Sequence, residues 1–546
     1  MRKSERGRRS LAPVLALALA AGLLAGCSQS GGDASAADTE AAGEAAGTEN
    51  EDTQAAGTEA AGSEASEGDG AESARDTLII ATANETPSVT TNLHNAVAGN
   101  YLNTMTHNGL FKMDENMNPV PDLVESYENT SDTEWIFHLK QGVLFHNGQE
   151  LKAEDVKASL ELCKESPEVS QYGISTGTIE VVDDYTVKIT TDGSQSGLLA
   201  DLTHHGNYIL PADLIESGHD FNEEPIGTGP YKLVEWKRAE SLEFEAFEDY
   251  FDGAAPIKHV IWKIIPEGSS RTMALEAGEV DMIIEVETTD MNRISETEGL
   301  TLYSSQGTSH NYMTINNEIA PFNNKDFRKA IAAAIDKAAI VQVALNGDGT
   351  PVDAMVPDCF PGTTAENAPT YDPEQAKAYL EASGLDPAEC GFSIICSDDT
   401  KLRAGQVIQS SLKENLGIDV ELESMDLATY LDVTMTGDYE AAIGGYTSSS
   451  LLAYIQGVYH SNSIDASNLT RTNVPEVDEL IEAIQAALDP EENEALVTEF
   501  CKVINEECPQ VPLYMKNNTR AYDSDLQGFN CTAGGTTYYN LFSWGN

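Results

Sequence analysis

The chain has 546 residues, 41% of them hydrophobic, with 31 Lys and Arg against 90 Asp and Glu, a formal charge of −59. Such an acidic balance, with no run of Lys or Arg beyond the first ten residues, excludes nucleic acid and anionic lipid headgroups as partners of the body, because both need clustered cations. The length predicts a large body of two or three domains behind any targeting segment.

In chain order, the first segment is a targeting signal. Five Lys and Arg lie between Met1 and Ser10, and Leu11 to Leu24 supplies 14 mostly apolar residues, interrupted by Pro13. That run is short of the roughly 18 to 20 residues a spanning helix needs. Leu24-Ala25-Gly26-Cys27 ends it as a bacterial lipobox, so residues 1–26 are expected to be removed and Cys27 to become a lipidated N-terminus on the extracytoplasmic face of the cell membrane. Two or more acyl chains, at about 0.8 kcal/mol per buried methylene, suffice to hold a protein at a bilayer.

From Cys27 to Arg75 runs an acidic tether. Residues 28–75 contain no Val, Ile, Leu, Met, Phe, Trp, Tyr, Cys or Pro and carry 12 acidic side chains. With nothing to bury, the stretch cannot offset the entropy of ordering its backbone, and a coil of this length spans about 40 Å. The reach suits a body that docks on a membrane partner, or one that only needs a spacer. The body itself, residues 76–546, holds 25 Lys and Arg against 77 Asp and Glu, a formal −52.

Leu78-Ile79-Ile80-Ala81 predicts a buried strand that opens the body. Trp135 to Leu139 and Val143 to Phe145 read as strands, followed by a helix through Val156, Leu160 and Cys163. Tyr231 to Trp236, Leu242 to Phe247 and Val260 to Ile265 predict three more strands of a mixed sheet. Gly227-Thr228-Gly229 precedes a strand, not a helix with Lys-Ser/Thr, so it reads as a turn re-entering the sheet and not a phosphate loop.

From 326 onward helices dominate. Phe327, Ala330, Ile331, Ala334 and Ile335 share one apolar face of a helix expected over 326–345, stopped by Asn346-Gly347. Arg328 and Asp336, eight apart on it, are expected to form a surface or interlobe ion pair. Asp372-Pro373 and Asp489-Pro490 mark helix starts, with Glu492 completing a capping-box-like pair with Asp489. A helix over 402–416 ends at Gly417 and leads into the strand 418–422, an α/β pattern.

Seven cysteines follow Cys27: Cys163, Cys359, Cys390, Cys396, Cys501, Cys508 and Cys531. Cys390 with Cys396, and Cys501 with Cys508, are the nearest pairs, and free buried thiols are as well supported as bridges. There is no CxxC, no HExxH and no Gly-x-Ser-x-Gly, so neither a standard zinc site nor a hydrolase is expected, nor any cofactor. His204-His205, read as neighbours in a strand, would face opposite ways and share no nickel ion.

Three stretches together resemble the extracytoplasmic solute-binding proteins of ATP-driven peptide and nickel importers. They are Gly109-Leu-Phe-Lys112 with Pro121 to Ser126 and Trp135 to Gly148; Pro225 to Tyr231 with Tyr250-Phe-Asp-Gly253; and Pro321 to Ile331 with Ala334-Ile-Asp336. The resemblance implies an α/β clamp of two lobes closing on a ligand, with an extra third domain. By analogy the base lobe takes 76–108, 226–312 and 508–546, the extra domain 109–225, and the second ligand-binding lobe 313–507. It further implies a monomer that performs no catalysis, binds a peptide-like solute and delivers it to an ABC permease. The same clamp could take an oligosaccharide or a nickel complex, or sense peptides for a membrane receptor.

The resemblance also points to ligand contacts. In the segment 444–455 family peptide binders often place an Asp that receives the ligand amine, and here Ser450-Leu451 stands in its place; the dipeptide binders' arginine is likewise missing from 396–400, with Lys401 and Arg403 only nearby. By this analogy the candidate contacts are Tyr446, Ser448, Ser449, Ser450 and Tyr454, with Asn84, His310, Tyr312 and Asn316 from segments near the chain crossovers. Tyrosines and serines offer flat apolar area and adaptable hydrogen bonds.

Overall fold

The computed structural model describes residues 75–545 apart from Asn95, Ile174, Ser175 and Ser449. The signal, Cys27, the tether and the candidate contact Ser449 therefore lie outside the described residues. Among the described residues no helix is long and apolar enough to cross a membrane.

An eleven-stranded sheet organises the body. Its order runs Val420–Ser424, Phe392–Cys396, Ala441–Thr447, Leu300–Ile315, Gln510–Asp523, Met282–Ile284, Thr77–Thr82, His259–Ile264, Ser241–Ala246 and Tyr231–Lys237, with Gly349–Pro351 added on Gln510–Asp523. The buried run Leu78 to Ala81 pairs in parallel with Val260 to Lys263, as a strand covered on both faces does. Phe392–Cys396 and Val420–Ser424 also run parallel, joined by the helix Asp399–Leu416. Asp398 caps that helix by accepting from Lys401 N at 2.8 Å, and Gly417 closes it at φ +74°.

Two long strands carry the architecture. Leu300–Ile315 pairs through Leu300 to Gln306 with the outer end of Gln510–Asp523, and through His310 to Thr314 with its inner end. The register slips between Gln306 and His310, and again between Asn311 and Tyr312. Beyond the slip, residues 309–315 also pair with Ala441–Thr447. Gly307 lies in the irregular stretch, where a Cβ would come 2.8 Å from the Lys516 carbonyl.

Hydrophobic clusters form on each side. One gathers Leu78, Tyr231, Trp262 and Phe542; a second runs from Tyr312 through Phe327, Ile408 and Phe500 to Tyr514. A third, from Leu110 to Ile226, lies between a four-stranded antiparallel sheet and the helix Ala153–Glu165.

Several expectations are corrected. Val143 to Phe145 forms no strand, only an isolated bridge from Leu144 to Glu150, because the chain turns at Asn147-Gly148 before a ladder can extend. The helix expected over 326–345 is two, Lys325–Ala334 and Lys337–Ala344, because Asp336 accepts from Ala339 N at 3.0 Å and starts a second helix. Arg328 makes no pair with Asp336; its guanidinium donates to the carbonyls of Phe322, Glu507 and Cys508 at 2.7–2.9 Å, capping the helix Pro490–Glu507. All seven cysteines after Cys27 are unpaired.

Candidate functional site

The inner end of Leu300–Ile315 places His310 opposite Tyr446 on one neighbour and opposite Met515 on the other. His310 is wholly buried, and its Nδ1 lies 2.6 Å from the Tyr454 hydroxyl. Burial pushes this imidazole down to about 3, so it is neutral at any physiological pH. Its Nε2 has no hydrogen-bond partner among the described residues.

Tyr454 belongs to the helix Leu451–Tyr459, whose start explains the serines. The Ser450 hydroxyl accepts from Ala453 N at 3.4 Å as the N-cap, and the Ser448 hydroxyl bonds both Ser450 N at 3.1 Å and Ser450 O at 2.9 Å. The turn thus aims the helix's first aromatic inward, where Tyr454 packs edge-on against Tyr446 at 5.8 Å and Tyr459 at 6.2 Å. Tyr459 and Tyr454 both reach the Met355 carbonyl, and Gln510 donates to the Tyr459 hydroxyl at 2.8 Å. Tyr312, also buried, stands edge-on to His310 at 5.5 Å.

The remaining predicted contacts fall elsewhere. Asn316 is buried and fully engaged, its amide donating to the carbonyls of Gly437 and Tyr439 at 3.0 and 3.2 Å and accepting from Glu318 N. Asn84 is exposed just after the first strand. The structure therefore gathers Tyr446, Tyr454, His310 and Tyr312 around one point, with Ser448 and Ser450 supporting them.

A second group of rings, close in sequence to Gly197, which meets Leu452 of the Tyr454 helix, was missed by the sequence reading. Tyr172 stacks on His204 at 3.5 Å, His204 lies 4.1 Å from His205, and His205 stacks on His94 at 4.9 Å. His204 and His205 are not in a strand; His204 caps the single turn His205–Asn207, which brings both rings to one side. Burial, chiefly, raises the Tyr446 phenol above its ordinary range, with a smaller effect from the Tyr172 phenol. Gly206 N donates to His204 Nδ1 at 3.1 Å, so in its neutral form His204 carries its proton on Nε2 and is a donor there. A metal ion would need that nitrogen deprotonated. Among the described residues no cluster of His, Cys, Asp or Glu is arranged to hold one.

Around these rings the two halves touch. Ser196 donates from its backbone N to the Gln485 carbonyl at 2.9 Å and from its hydroxyl to the Ile484 carbonyl at 2.8 Å. Leu452 meets Gly197, and Leu488 packs against the cluster of 110–226. The nearby cations are spoken for: Lys401 bonds Asp398 at 2.8 Å, and Arg403 donates to the Ala344 carbonyl and the Thr400 hydroxyl. A separate cavity of about 530 Å³, lined by Tyr208, Tyr250, Tyr303 and Tyr538 around Asp122, includes none of the predicted contacts. Asp122 is already satisfied there by Lys112 at 3.3 Å and Asn108 at 2.8 Å.

Neutral rings with fixed donors, on two bodies joined by continuous strands, offer a solute stacking area and hydrogen bonds, and among the described residues the cluster holds no nucleophile or paired acid and base. The profile of the bacterial extracellular solute-binding proteins, family 5 Middle, matches residues 118–468. The chain belongs to that family. As a family 5 protein it has similar curated relatives: Heme-binding protein A of Haemophilus influenzae, 26% identical over 429 residues (72% of this chain, 78% of the relative), and Glutathione-binding protein GsiB of Salmonella paratyphi A, 25% identical over 481 residues (84% and 92%). Among solved structures, HbpA2 from Haemophilus parasuis superposes with a TM-score of 0.80 at 22% identity, covering 86% of this chain and all of that one. Its fold is the two-lobed family 5 fold with a third domain, and its relatives are solute-binding proteins of transporters, not enzymes.

Proposed function

We propose that this family 5 protein is the lipid-anchored, monomeric binding component of an ABC importer, which takes a peptide-like solute between its lobes and delivers it to a membrane permease. The observation that carries the reading is a pair of ring clusters, Tyr172 on His204 and Tyr446 with Tyr454, in two bodies that touch beside them through Ser196 on Ile484 and Gly197 on Leu452. Flat rings on both walls suit a chain of amide groups, stacked and hydrogen-bonded without a fixed countercharge. The His204 Nε2 donor meets a carbonyl or carboxylate of the ligand. Glutathione, named for one relative, is itself a small peptide. The working lobes are 76–108 with 226–312 and 508–546, and 313–507, with 109–225 as the third domain; Cys27 is the lipidated residue.

The test is thermal melting of the purified body with a mixed peptide pool, followed by native mass spectrometry. Retained peptides and a raised melting temperature are expected, with His204→Phe losing more of the shift than His204→Gln. A flat response to every peptide would overturn the reading. Lipidation is read from the mass of the N-terminal peptide, which should begin at an acylated Cys27.

A second reading takes a haem-like or metal-complex solute, since three imidazoles stand together at the same wall and one relative is named for haem. The fixed Nε2 proton of His204 opposes it. Titration with haemin, followed by absorbance, separates the two: an imidazole-ligated spectrum lost in a His204 variant would favour the second.

A further inference from the structure

The hairpin of Phe111–Met113 with Pro119–Pro121, the segment from Tyr250 to Asp252 and the C-terminal segment 529–541 enclose the cavity of about 530 Å³. Pockets that hold small organic molecules run from about 300 to 1,000 Å³, so the space suffices for one. Five aromatic rings line it, Tyr208, Tyr250, Tyr303, Phe529 and Tyr538, and Leu541, 53% exposed, adds apolar surface.

The charge of the lining is one-sided. Four carboxylates, Asp114, Glu115, Asp122 and Asp252, stand against the single ammonium of Lys112. His107 adds no charge, since burial brings its imidazole down to about 3. Lys112 bonds Asp122 at 3.3 Å and holds its Nζ 5.7 Å from the centre of the Tyr538 ring, so the cavity already keeps one cation between a carboxylate and a ring face. Asp114 is taken up by its own turn, accepting from Asn116 N and Asn118 N at 2.9 and 2.8 Å. Glu115 and Asp252 are exposed and have neither a hydrogen bond nor an ion pair among the described residues.

Tyr208 supplies a second, independent sign of a ligand. Its side chain is buried, 7% exposed, yet its hydroxyl has no hydrogen-bond partner among the described residues. Burial, and after it the Asp122 carboxylate, raise this phenol, so it stays a neutral hydroxyl able to accept as well as donate. Buried polar groups are rarely left unbonded. An anionic solute would meet the excess of carboxylates, and a wholly apolar one would leave Tyr208 unpaired. A flat body carrying an ammonium group meets every demand: the rings take the body and the face of the cation, the free carboxylates neutralise it, and the Tyr208 oxygen accepts an N–H.

We infer that this cavity is a second binding site, separate from the rings at Tyr446 and His204, for a small organic cation that joins an ammonium group to a flat apolar body. The site is independent of the solute carried between the lobes.

Phenethylamine, phenylacetate and 3-phenylpropanol share a flat body and differ in charge at neutral pH, and calorimetric titration of the purified full-length chain with each tests the site. Phenethylamine should bind about tenfold more tightly than either of the others, and more weakly as salt rises from about 20 to about 300 mM. The double variant Glu115→Gln/Asp252→Asn should keep the melting temperature of the unmodified chain and bind phenethylamine about fivefold more weakly, and Tyr208→Phe about threefold more weakly. His204→Gln should bind it as the unmodified chain does. Equal affinity for the three solutes, no binding of phenethylamine up to about 10 mM, or binding unchanged in the double variant would overturn the site. A titration lost in His204→Gln and kept in the double variant would move the cation to the rings of the first site, and would overturn the second site while leaving the peptide reading in place.

Discussion

The hydroxyl of Tyr454 lies 2.6 Å from Nδ1 of His310 and ties the helix Leu451–Tyr459 to the strand Leu300–Ile315, just past the point where that strand's register slips. Both groups are wholly buried, so the bond is made where water cannot replace it. His310 holds its other nitrogen without a partner among the described residues, so Tyr454 is the hydrogen bond that positions the ring.

Tyr454→Phe should therefore destabilise the fold by about 1–3 kcal/mol, the cost of leaving a buried acceptor or donor unmade. Urea denaturation at neutral pH measures it. In a double-mutant cycle with His310→Phe the two losses should be less than additive, because the second change removes the group that the first left unpaired.

Acid should unfold this protein through its histidines. Burial, the largest cause in each case, depresses His94 and His204, brings His107 and His310 down to about 3, and brings His146 and His205 down to about 4. Each is neutral in the fold and titrates near 6.5 when unfolded, so below that pH the unfolded chain takes up protons that the folded one refuses. Stability should be fully present above about pH 6.5 and fall toward pH 4, by up to about 1.4 kcal/mol per pH unit for each imidazole. Melting temperatures between pH 7.5 and 4.5 check the direction; a maximum near pH 5 would contradict it.

Ser196 ties the segment that follows the four-stranded sheet to the carbonyls of Ile484 and Gln485, at the end of the helix Pro475–Ala486. Ser196→Ala removes one of these bonds, worth about 0.5–1.5 kcal/mol, and should speed ligand release about threefold to tenfold. Stopped-flow dissociation of a bound fluorescent peptide measures this, with association expected to change less.

Gly227 and Gly229 pack against the end of the helix Val97–Thr106 so tightly that a Cβ would lie 2.1 Å from the Thr106 carbonyl oxygen at the first and 2.4 Å from its carbon at the second. Backbone cannot yield as a flexible side chain would. Gly227→Ala is expected to cost about 3 kcal/mol or more, the upper end for overpacking, and to lower soluble yield with the melting temperature.

Local rules carried much of the fold. Asp372 and Asp489 cap their helices as their Asp-Pro pairs predict, and the paired strands near 231, 242 and 260 lie within a residue or two of their apolar runs. The break between Ala334 and Lys337 was hidden, because apolar spacing continues smoothly across it and only the Asp336 cap interrupts the backbone ladder. The ring cluster at Tyr446 and Tyr454 was reachable through motif resemblance. The wall of Tyr172, His204 and His94 was not: its members come from three distant segments, and a pair of adjacent histidines meets only because the chain makes one tight turn there. Asn316 looked like a ligand group by residue type, yet its amide is spent on the Gly437 and Tyr439 carbonyls.

The strands Leu300–Ile315 and Gln510–Asp523 each lend hydrogen bonds to both ends of the large sheet, the ladder between them interrupted at the irregular stretch around Gly307. Neither end can melt while leaving its neighbour's ladder whole, so heating should give one cooperative endotherm for the two lobes together. Swinging open likewise cannot be free rotation. It has to wring a continuous ribbon, which makes the pair a spring that recoils once the guest departs.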